Sequence, residues 1–119
     1  MKKTVVLGAS PNPWRTAHTA VIRLKAKGHD VLAIGNRKGY IGDTEITVGT
    51  PAEAYVHTVT VYLRPELQQQ YYDYIISLNP QRIILNPGTE NAELYRLAMT
   101  NGIDIEHACT LVLLATGQY

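Results

Sequence analysis

Short apolar runs alternate along the chain with longer segments in which apolar residues recur every three or four positions. The runs Thr4–Gly8, Val31–Ile34 and Arg82–Asn86 are nearly continuous in aliphatic residues, as expected of strands that are buried on both faces. The segments of helical period end at Gly or at Asn-Pro, which are common helix stops. This alternation predicts a doubly wound parallel sheet covered by helices.

The pattern predicts five or six strands and four helices, in a chain of 119 residues whose length suits one domain spanning residues 1–119. The apolar run Leu111–Ala115 near the end covers either the sheet or a homodimer face. The predicted helices include Thr16–Lys27, Pro65–Leu78 and Glu93–Thr100. The predicted strands are Thr4–Gly8, Val31–Ile34, a third and edge-like strand at Glu45–Val48, His57–Tyr62, Arg82–Asn86 and Ile103–Ile105.

Charge narrows the classes of partner. Lys plus Arg number 11 against 10 Asp plus Glu, so the chain has no bulk cationic field of the kind that holds nucleic acid or an anionic membrane surface. No apolar run approaches the roughly 18 residues of a membrane span. We therefore expect neither nucleic acid nor a membrane as a partner, and any bound anion must be held by locally placed charge.

One cysteine and scattered histidines limit the redox and metal chemistry that the chain can support. Cys109 stands alone, which excludes an internal disulfide or a multi-cysteine zinc site and suits a reducing compartment. His18, His57 and His107 have no second ligand at metal spacing, so no metal site is predicted. The chain start runs directly into a strand rather than into the apolar region of a signal peptide, which favours a cytoplasmic protein.

The carboxyl ends of the predicted strands carry an unusual share of the cations. Ligands of open parallel sheets bind beyond these ends, where the strand order reverses. Four segments follow strands there: residues 8–15, 36–39, 62–64 and 86–90. They contain four of the 11 cationic side chains together with several hydrogen-bonding groups, so this edge is predicted to bind an anion. The residues are Arg15, Arg37, Lys38, Arg64, Ser10, Asn12, Asn36, Asn86 and Thr89.

The first of these loops departs from the dinucleotide fingerprint. G-x-G-x-x-G requires three glycines, but Gly8 is followed by Ser10 at the third position and Pro13 at the sixth. The end of the second strand carries Asn36 rather than the acidic residue that binds the ribose hydroxyls of NAD. Arg37 and Lys38 suit a ribose that carries its own phosphate. NADP and coenzyme A (CoA) both meet that description.

Five motifs in this order resemble a known family. They are Gly8-Ala9-Ser10-Pro11-Asn12-Pro13, Gly28-His29-Asp30-Val31, Asn36-Arg37-Lys38-Gly39, Tyr62-Leu63-Arg64-Pro65 and Asn86-Pro87-Gly88-Thr89-Glu90-Asn91. The chain resembles the small stand-alone CoA-binding proteins, which are similar to the CoA-binding domain of the succinyl-CoA synthetase α subunit. The resemblance implies an α/β fold, a Rossmann-like doubly wound parallel sheet in three α/β/α layers.

The resemblance also implies a role for each candidate residue. Gly8, Ala9 and Ser10, with Asn12 and Arg15, would hold the pyrophosphate of CoA. Asn36, Arg37 and Lys38 would hold the adenosine ribose and its 3′-phosphate. Tyr62 and Leu63 would flank the adenine or the pantetheine arm beside Arg64, while Pro87 and Gly88 would line the exit of that arm.

The resemblance carries over no catalytic residue, because the phosphohistidine of the synthetase lies in another domain. The sequence therefore favours a protein that binds CoA or an acyl-CoA without catalysis of its own. A small NADP-dependent or nucleotide-binding oxidoreductase is the alternative, with only Glu90 as a titratable acid among the site candidates. A protein interaction module is the second alternative, with Tyr71–Tyr74 as its contact.

Overall fold

A computed structural model describes residues 1–119 and contains a seven-stranded sheet in the order β3-β4-β2-β1-β5-β6-β7. Every neighbouring pair is parallel except β3 and β4, which are antiparallel. Without β3, this is the strand order of the Rossmann fold, and it reverses between β1 and β5. The strands are β1 Thr4–Leu7, β2 Val31–Gly35, β3 Gly39–Ile41, β4 Thr44–Val48, β5 Thr58–Val61, β6 Arg82–Leu85 and β7 Asp104–His107.

Helices cover both faces of the sheet, which confirms the predicted three-layer α/β fold. Val6 of β1 packs with Val21 of α1 and Leu114 of α5 on one face, while Val5 packs with Ile75 of α3 and Leu94 of α4 on the other. Residues on both sides of the central strands are therefore buried, and their apolar runs are continuous for that reason. The helices are α1 Thr16–Ala26, α2 Pro65–Gln68, α3 Tyr72–Leu78, α4 Ala92–Thr100 and α5 Thr110–Ala115, with a 3₁₀ turn at Gln69–Tyr71.

The predicted strand at Glu45–Val48 is present as β4, but it does not lie at the edge of the sheet, because a short strand that the pattern missed lies outside it. β4 pairs with β2 on one side and with β3 on the other, so β3 occupies the edge. Gly42 and Asp43 form the two-residue hairpin loop between β3 and β4. A strand of three residues is too short to show a period of two, which explains why the pattern predicted only a loop after β2.

The predicted helix over Pro65–Leu78 is interrupted by the 3₁₀ turn, and its apolar period is only partly correct. Ile75 and Leu78 are buried as the period predicts, but Leu67 is 37% exposed while its neighbour Gln68 is fully buried. At this point the helix therefore buries a polar side chain and exposes an apolar one. A buried glutamine must have hydrogen-bond partners for its amide. The run Leu111–Ala115 is helix α5, and Leu114 is buried in the cluster that covers the sheet.

No helix of the structure has both the length and the apolar character that crossing a membrane requires.

The amino-terminal edge of the sheet holds a cluster around Tyr119. The Tyr119 hydroxyl is 2.6 Å from Thr4 Oγ1, and the Arg82 guanidinium lies 4.5 Å from the centre of the Tyr119 ring. The edge of the His29 ring meets the same ring with 5.0 Å between their centroids. The Lys2 side chain also contacts the Tyr119 carbonyl oxygen. Tyr119 is thereby buried between the first strand and a cation.

Two histidines of this edge have lowered pKa values, which favours their neutral form. His29 Nδ1 accepts a hydrogen bond from the Lys2 backbone N–H at 2.9 Å, which a protonated ring could not do. Burial lowers the pKa of His29, and the positive charges of the amino terminus, Lys2 and Arg82 lower it further. Burial and Arg82 likewise lower the pKa of His57, whose Nδ1 is 2.7 Å from Thr58 Oγ1.

We predict that mild acid weakens the fold through these two histidines. Because their pKa values are lowered below 6.5 in the folded protein, the unfolded chain binds more protons as the pH falls through that value. The free energy of unfolding is therefore highest above about pH 7 and falls as the pH drops toward the lowered values. Urea unfolding between pH 5.5 and 7.5 measures this slope. A His29→Asn, His57→Asn variant removes both titratable rings and keeps an acceptor for the Lys2 N–H, so it should lose most of this slope. An unchanged slope would contradict the assignment.

Candidate functional site

A cleft opens at the carboxyl edge of the sheet, where the strand order reverses between β1 and β5. Its volume is about 510 Å³, and the loops after β1, β2, β5 and β6 all contribute to it. This is the place that the doubly wound topology assigns to a ligand. We call it the carboxyl-edge cleft, and its lining residues are Gly8, Ala9, Ser10, Trp14, Arg15, Thr16, Ala17, Asn36, Tyr62, Leu63, Arg64, Leu67, Pro87, Gly88 and Thr89.

The floor of the cleft depends on the close approach of the first loop to the end of β2. The backbone N–H groups of Gly8 and Ala9 both donate to the Ile34 carbonyl, at 2.9 and 2.8 Å. A Cβ atom added at Gly35 would lie 2.3 Å from the Ala9 carbonyl oxygen, so only glycine fits there. Gly8 has a φ of +103°, which an L side chain rarely adopts. Both glycines are therefore required by the path of the loop.

The loop between β1 and α1 is a series of tight turns. Asn12 N–H donates to Ser10 Oγ at 3.1 Å, and Trp14 N–H donates to Asn12 Oδ1 at 3.0 Å. The Arg15 N–H donates to the Asn12 carbonyl at 3.0 Å. The side chains of Ser10 and Asn12 thus shape the loop, while the Ser10 hydroxyl proton and the Asn12 amide N–H groups have no partner in the protein.

The amino terminus of α1 points its unpaired groups at the cleft. Arg15 is the N-cap residue, no side chain caps the helix, and its first turn contains no acidic residue. The first two helical residues, Thr16 and Ala17, line the cleft. Backbone N–H groups at such a terminus, together with the partial positive charge of the helix, favour an anion.

Positive charge surrounds this terminus without any carboxylate among the lining residues. Arg15 and Arg64 line the carboxyl-edge cleft, and Arg64 is paired only loosely with Glu66, at 3.7 Å and in solvent. A second depression of about 410 Å³, which we call the Arg37 depression, adjoins the cleft and shares three residues with it. Its lining residues are Ser10, Pro11, Asn12, Arg15, Asn36 and Arg37, and they also include no acid.

The structure brings together every residue to which the resemblance assigns a CoA contact, except Lys38. Asn12 and Arg37 lie in the Arg37 depression, and the other candidates line the cleft itself. Lys38 lies instead against the β3–β4 hairpin, in a separate depression with Tyr40 and Glu45. The hairpin comes this close because β3 packs on the first loop: a Cβ at Gly39 would be 3.1 Å from the Pro11 side chain.

Below the cleft, Asn86 connects three elements rather than facing a ligand. It is buried; its Nδ2 donates to Thr60 Oγ1 at 2.7 Å and to the Val61 carbonyl at 2.9 Å, and its Oδ1 accepts from Thr110 N–H at 2.9 Å. Tyr62 lies beside this group. Burial raises the pKa of the Tyr62 phenol to about 12, so the phenol is neutral at physiological pH.

Gln68 joins the two loops that form the far wall of the cleft. Its Nε2 donates to the Leu63 carbonyl at 2.7 Å and to the Thr89 carbonyl at 2.9 Å. Its Oε1 accepts from Asn91 Nδ2 at 2.9 Å, and Asn91 Oδ1 in turn caps α4. One fully buried amide therefore fixes the loop after β5 against the loop after β6.

Four lining residues of the cleft were not named as candidates from the sequence. Trp14 falls within the first segment that the strand-end rule named, so its position could have been inferred from the topology. Thr16 and Ala17 needed the direction of α1, and the helical period placed Leu67 in the core instead. No group of three or more His, Cys, Asp or Glu side chains in the structure is arranged to hold a metal ion.

Comparison with known proteins identifies relatives of both the sequence and the fold. Residues 2–115 match the model of a family described as CoA binding domain. No curated protein matches the chain. A crystal structure described only as that of an uncharacterized protein is 44% identical, with a TM-score of 0.97 over 100% of this chain and 98% of the other.

More distant structures share the fold alone. A protein from Thermus thermophilus is 21% identical with a TM-score of 0.85, over 99% of this chain and 90% of the other. A conserved hypothetical protein from Pyrococcus furiosus is 20% identical with a TM-score of 0.82, over 94% of this chain and 98% of the other.

We predict that Gln68→Met destabilises the protein by about 2–4 kcal/mol, because two backbone carbonyls and the Asn91 amide lose a partner while side-chain volume is nearly kept. Gln70→Met is the matched control, since Gln70 is exposed and makes one long bond, of 3.3 Å, to the Leu67 carbonyl. Chemical unfolding of both variants measures the difference. Equal stability of the two would show that Gln68 does not hold the cleft wall.

Proposed function

Because the chain belongs to the CoA-binding domain family, we propose that it binds coenzyme A or an acyl-CoA in the carboxyl-edge cleft, without catalysing a reaction of its own. The observation that carries the proposal is a cleft at the strand-order reversal that combines an uncapped helix terminus with arginines and contains no acid. CoA carries a pyrophosphate and a ribose phosphate, so its binding requires such an environment. The whole chain then acts as one CoA-binding domain.

The pyrophosphate is proposed to lie at the amino terminus of α1. There the backbone of Gly8, Ala9 and Ser10 and the first N–H groups of the helix meet the Arg15 side chain. The Ser10 hydroxyl and the Asn12 amide supply further donors, because their acceptor atoms are the ones engaged in the loop. Several charge-assisted hydrogen bonds to one anion are stronger than neutral ones and explain how a chain of nearly zero net charge binds it.

The 3′-phosphate of the ribose is proposed to occupy the Arg37 depression. Arg37 makes no ion pair with any carboxylate of the protein, and Asn36 lies between the depression and the cleft. Lys38 is on the same loop but in the hairpin depression, so we assign it a smaller, longer-range contribution. An arginine fork is well suited to two phosphate oxygens at once.

The rest of the ligand is proposed to pass between the loops after β5 and β6. Tyr62, Leu63 and Arg64 form one side, while Pro87 and Gly88 form the opposite side and the exit.

The likeness to the CoA-binding domain of the succinyl-CoA synthetase α subunit, the cytoplasmic location and the homodimer remain predictions from the sequence.

Absence of catalysis is supported by the side chains of the cleft. None of them is a histidine, cysteine, lysine or carboxylate, and the Tyr62 phenol is a poor proton donor or acceptor at neutral pH because its pKa is about 12. Glu90 lies outside the cleft lining, and its carboxylate accepts the Gly88 N–H. A hydrogen bond from its own backbone N–H lowers the pKa of Glu90, and the bond from Gly88 lowers it further.

Titration calorimetry with CoA, acetyl-CoA, dephospho-CoA and NADP tests the proposal. We expect CoA to bind more tightly than dephospho-CoA, because only CoA carries the 3′-phosphate. Binding of NADP alone would instead favour the oxidoreductase, and binding of none of the four would favour the interaction module.

We predict that Arg37→Ala with Lys38→Ala weakens CoA binding by at least about tenfold, or about 1.5 kcal/mol, and leaves dephospho-CoA binding nearly unchanged. Arg37→Ala alone should account for most of the loss. Arg23→Ala with Lys27→Ala is the matched control, because it removes the same charge from the opposite end of α1. Equal loss in the control would mean that only overall charge matters, and no loss in the first variant would reject the Arg37 depression as the phosphate site.

A further inference from the structure

Trp14, the one tryptophan of the chain, stands at the rim of the carboxyl-edge cleft with 92% of its surface exposed. The proposed phosphate contacts do not involve its ring. A fully exposed indole is costly in water, since an aromatic side chain of this size gains most from burial. Its position at a ligand cleft therefore calls for an occupant that covers it.

The backbone that carries Trp14 is fixed although the ring is free. The Trp14 N–H is bonded to Asn12 Oδ1 at 3.0 Å, and the next residue, Arg15, is bonded to the Asn12 carbonyl at 3.0 Å. α1 begins immediately afterwards at Thr16. When a ligand contacts the indole, only the side-chain torsions of Trp14 need to become ordered, because the loop is already fixed. The entropic cost of this contact is therefore small.

Apolar side chains form part of the wall of the cleft on the β5–β6 side. Leu63 and Leu67 line it from the β5 loop and α2, and Pro87 adds to it from the loop after β6. Leu67 is 37% exposed, although a helical period would have placed it in the core. This apolar wall lies on the β5–β6 side, away from the Arg37 depression, whose lining is entirely polar or proline.

We propose, on the basis of the function proposed above, that Trp14 and Leu67 close on the pantetheine arm of CoA and that Trp14 distinguishes CoA from a free nucleotide. With the 3′-phosphate in the Arg37 depression and the pyrophosphate at α1, the rest of the ligand continues toward Leu63, Leu67 and Pro87. The arm combines a dimethyl-substituted carbon with amides. An indole covers such a chain well, because its face is apolar and its N–H is a donor.

The test compares CoA with adenosine 3′-phosphate 5′-diphosphate, which has the nucleotide and all the phosphates but no pantetheine. In calorimetry, Trp14→Ala should weaken CoA binding by about tenfold and nucleotide binding by less than about twofold. Leu67→Ala should act in the same direction. Tyr55→Asn is the matched control: it removes an equally exposed ring, 94% exposed, from the loop before β5, and asparagine tolerates the positive φ of that position.

A second readout comes from Trp14 itself, since all tryptophan fluorescence of the protein arises from this residue. CoA should shift its emission to shorter wavelength by excluding water, and the nucleotide should not. Equal weakening of both ligands, or an equal shift with both, would place the adenosine against Trp14 and overturn the inference. Unchanged CoA binding in Trp14→Ala would overturn it while leaving the proposed function intact. If the wild-type protein binds neither ligand, the proposed function fails and this inference fails with it.

Discussion

The close contact between the Ala9 carbonyl and the α-carbon of Gly35 is the constraint on which the site depends. It brings the first loop down onto the end of β2, where Gly8 and Ala9 both bond to Ile34. From that position the loop leads into α1, whose first residues, Thr16 and Ala17, line the cleft at the reversal of strand order. The same loop supports β3 through Pro11. The anion-binding arrangement and the edge hairpin thus follow from one missing side chain.

The wall of the cleft formed by the loops after β5 and β6 is held in another way, by the hydrogen bonds of buried side-chain amides. Gln68, Asn91 and Asn86 each use both ends of the side-chain amide, and together they link the loops after β5 and β6 to the starts of α4 and α5. Such networks are stable only when complete, so they specify one loop geometry rather than several. The cleft is therefore built between a sterically fixed wall and a hydrogen-bonded wall, and its charged side chains project from both.

The layers, the edge of the sheet at which the cleft lies and most of the cleft residues could be predicted from the sequence, because continuous aliphatic runs and strand-end positions are set by topology. It failed where a local pattern was too short or misleading. β3 has three residues and no readable period, and Leu67 follows a helical period but is exposed because Gln68 is buried in its place. Lys38 follows Arg37 in sequence yet lies at another surface, because the β3–β4 hairpin packs beside it.

The tyrosines of the segment Tyr71–Tyr74 are the contact expected of an interaction module. They are half-buried against the core, and two of their hydroxyls are hydrogen-bonded within the protein.

The cluster around Tyr119, at the amino-terminal edge of the sheet, affects the rates of folding and unfolding. Its central contact joins Thr4 to Tyr119, residues separated by 115 positions, and therefore closes a loop of nearly the whole chain. A contact with so large a loop-closure entropy forms only after the sheet between its partners has assembled. Interactions that are absent from the folding transition state slow unfolding rather than speed folding. We therefore expect the contacts of Tyr119 to form late in folding and to lengthen the lifetime of the folded state by slowing unfolding.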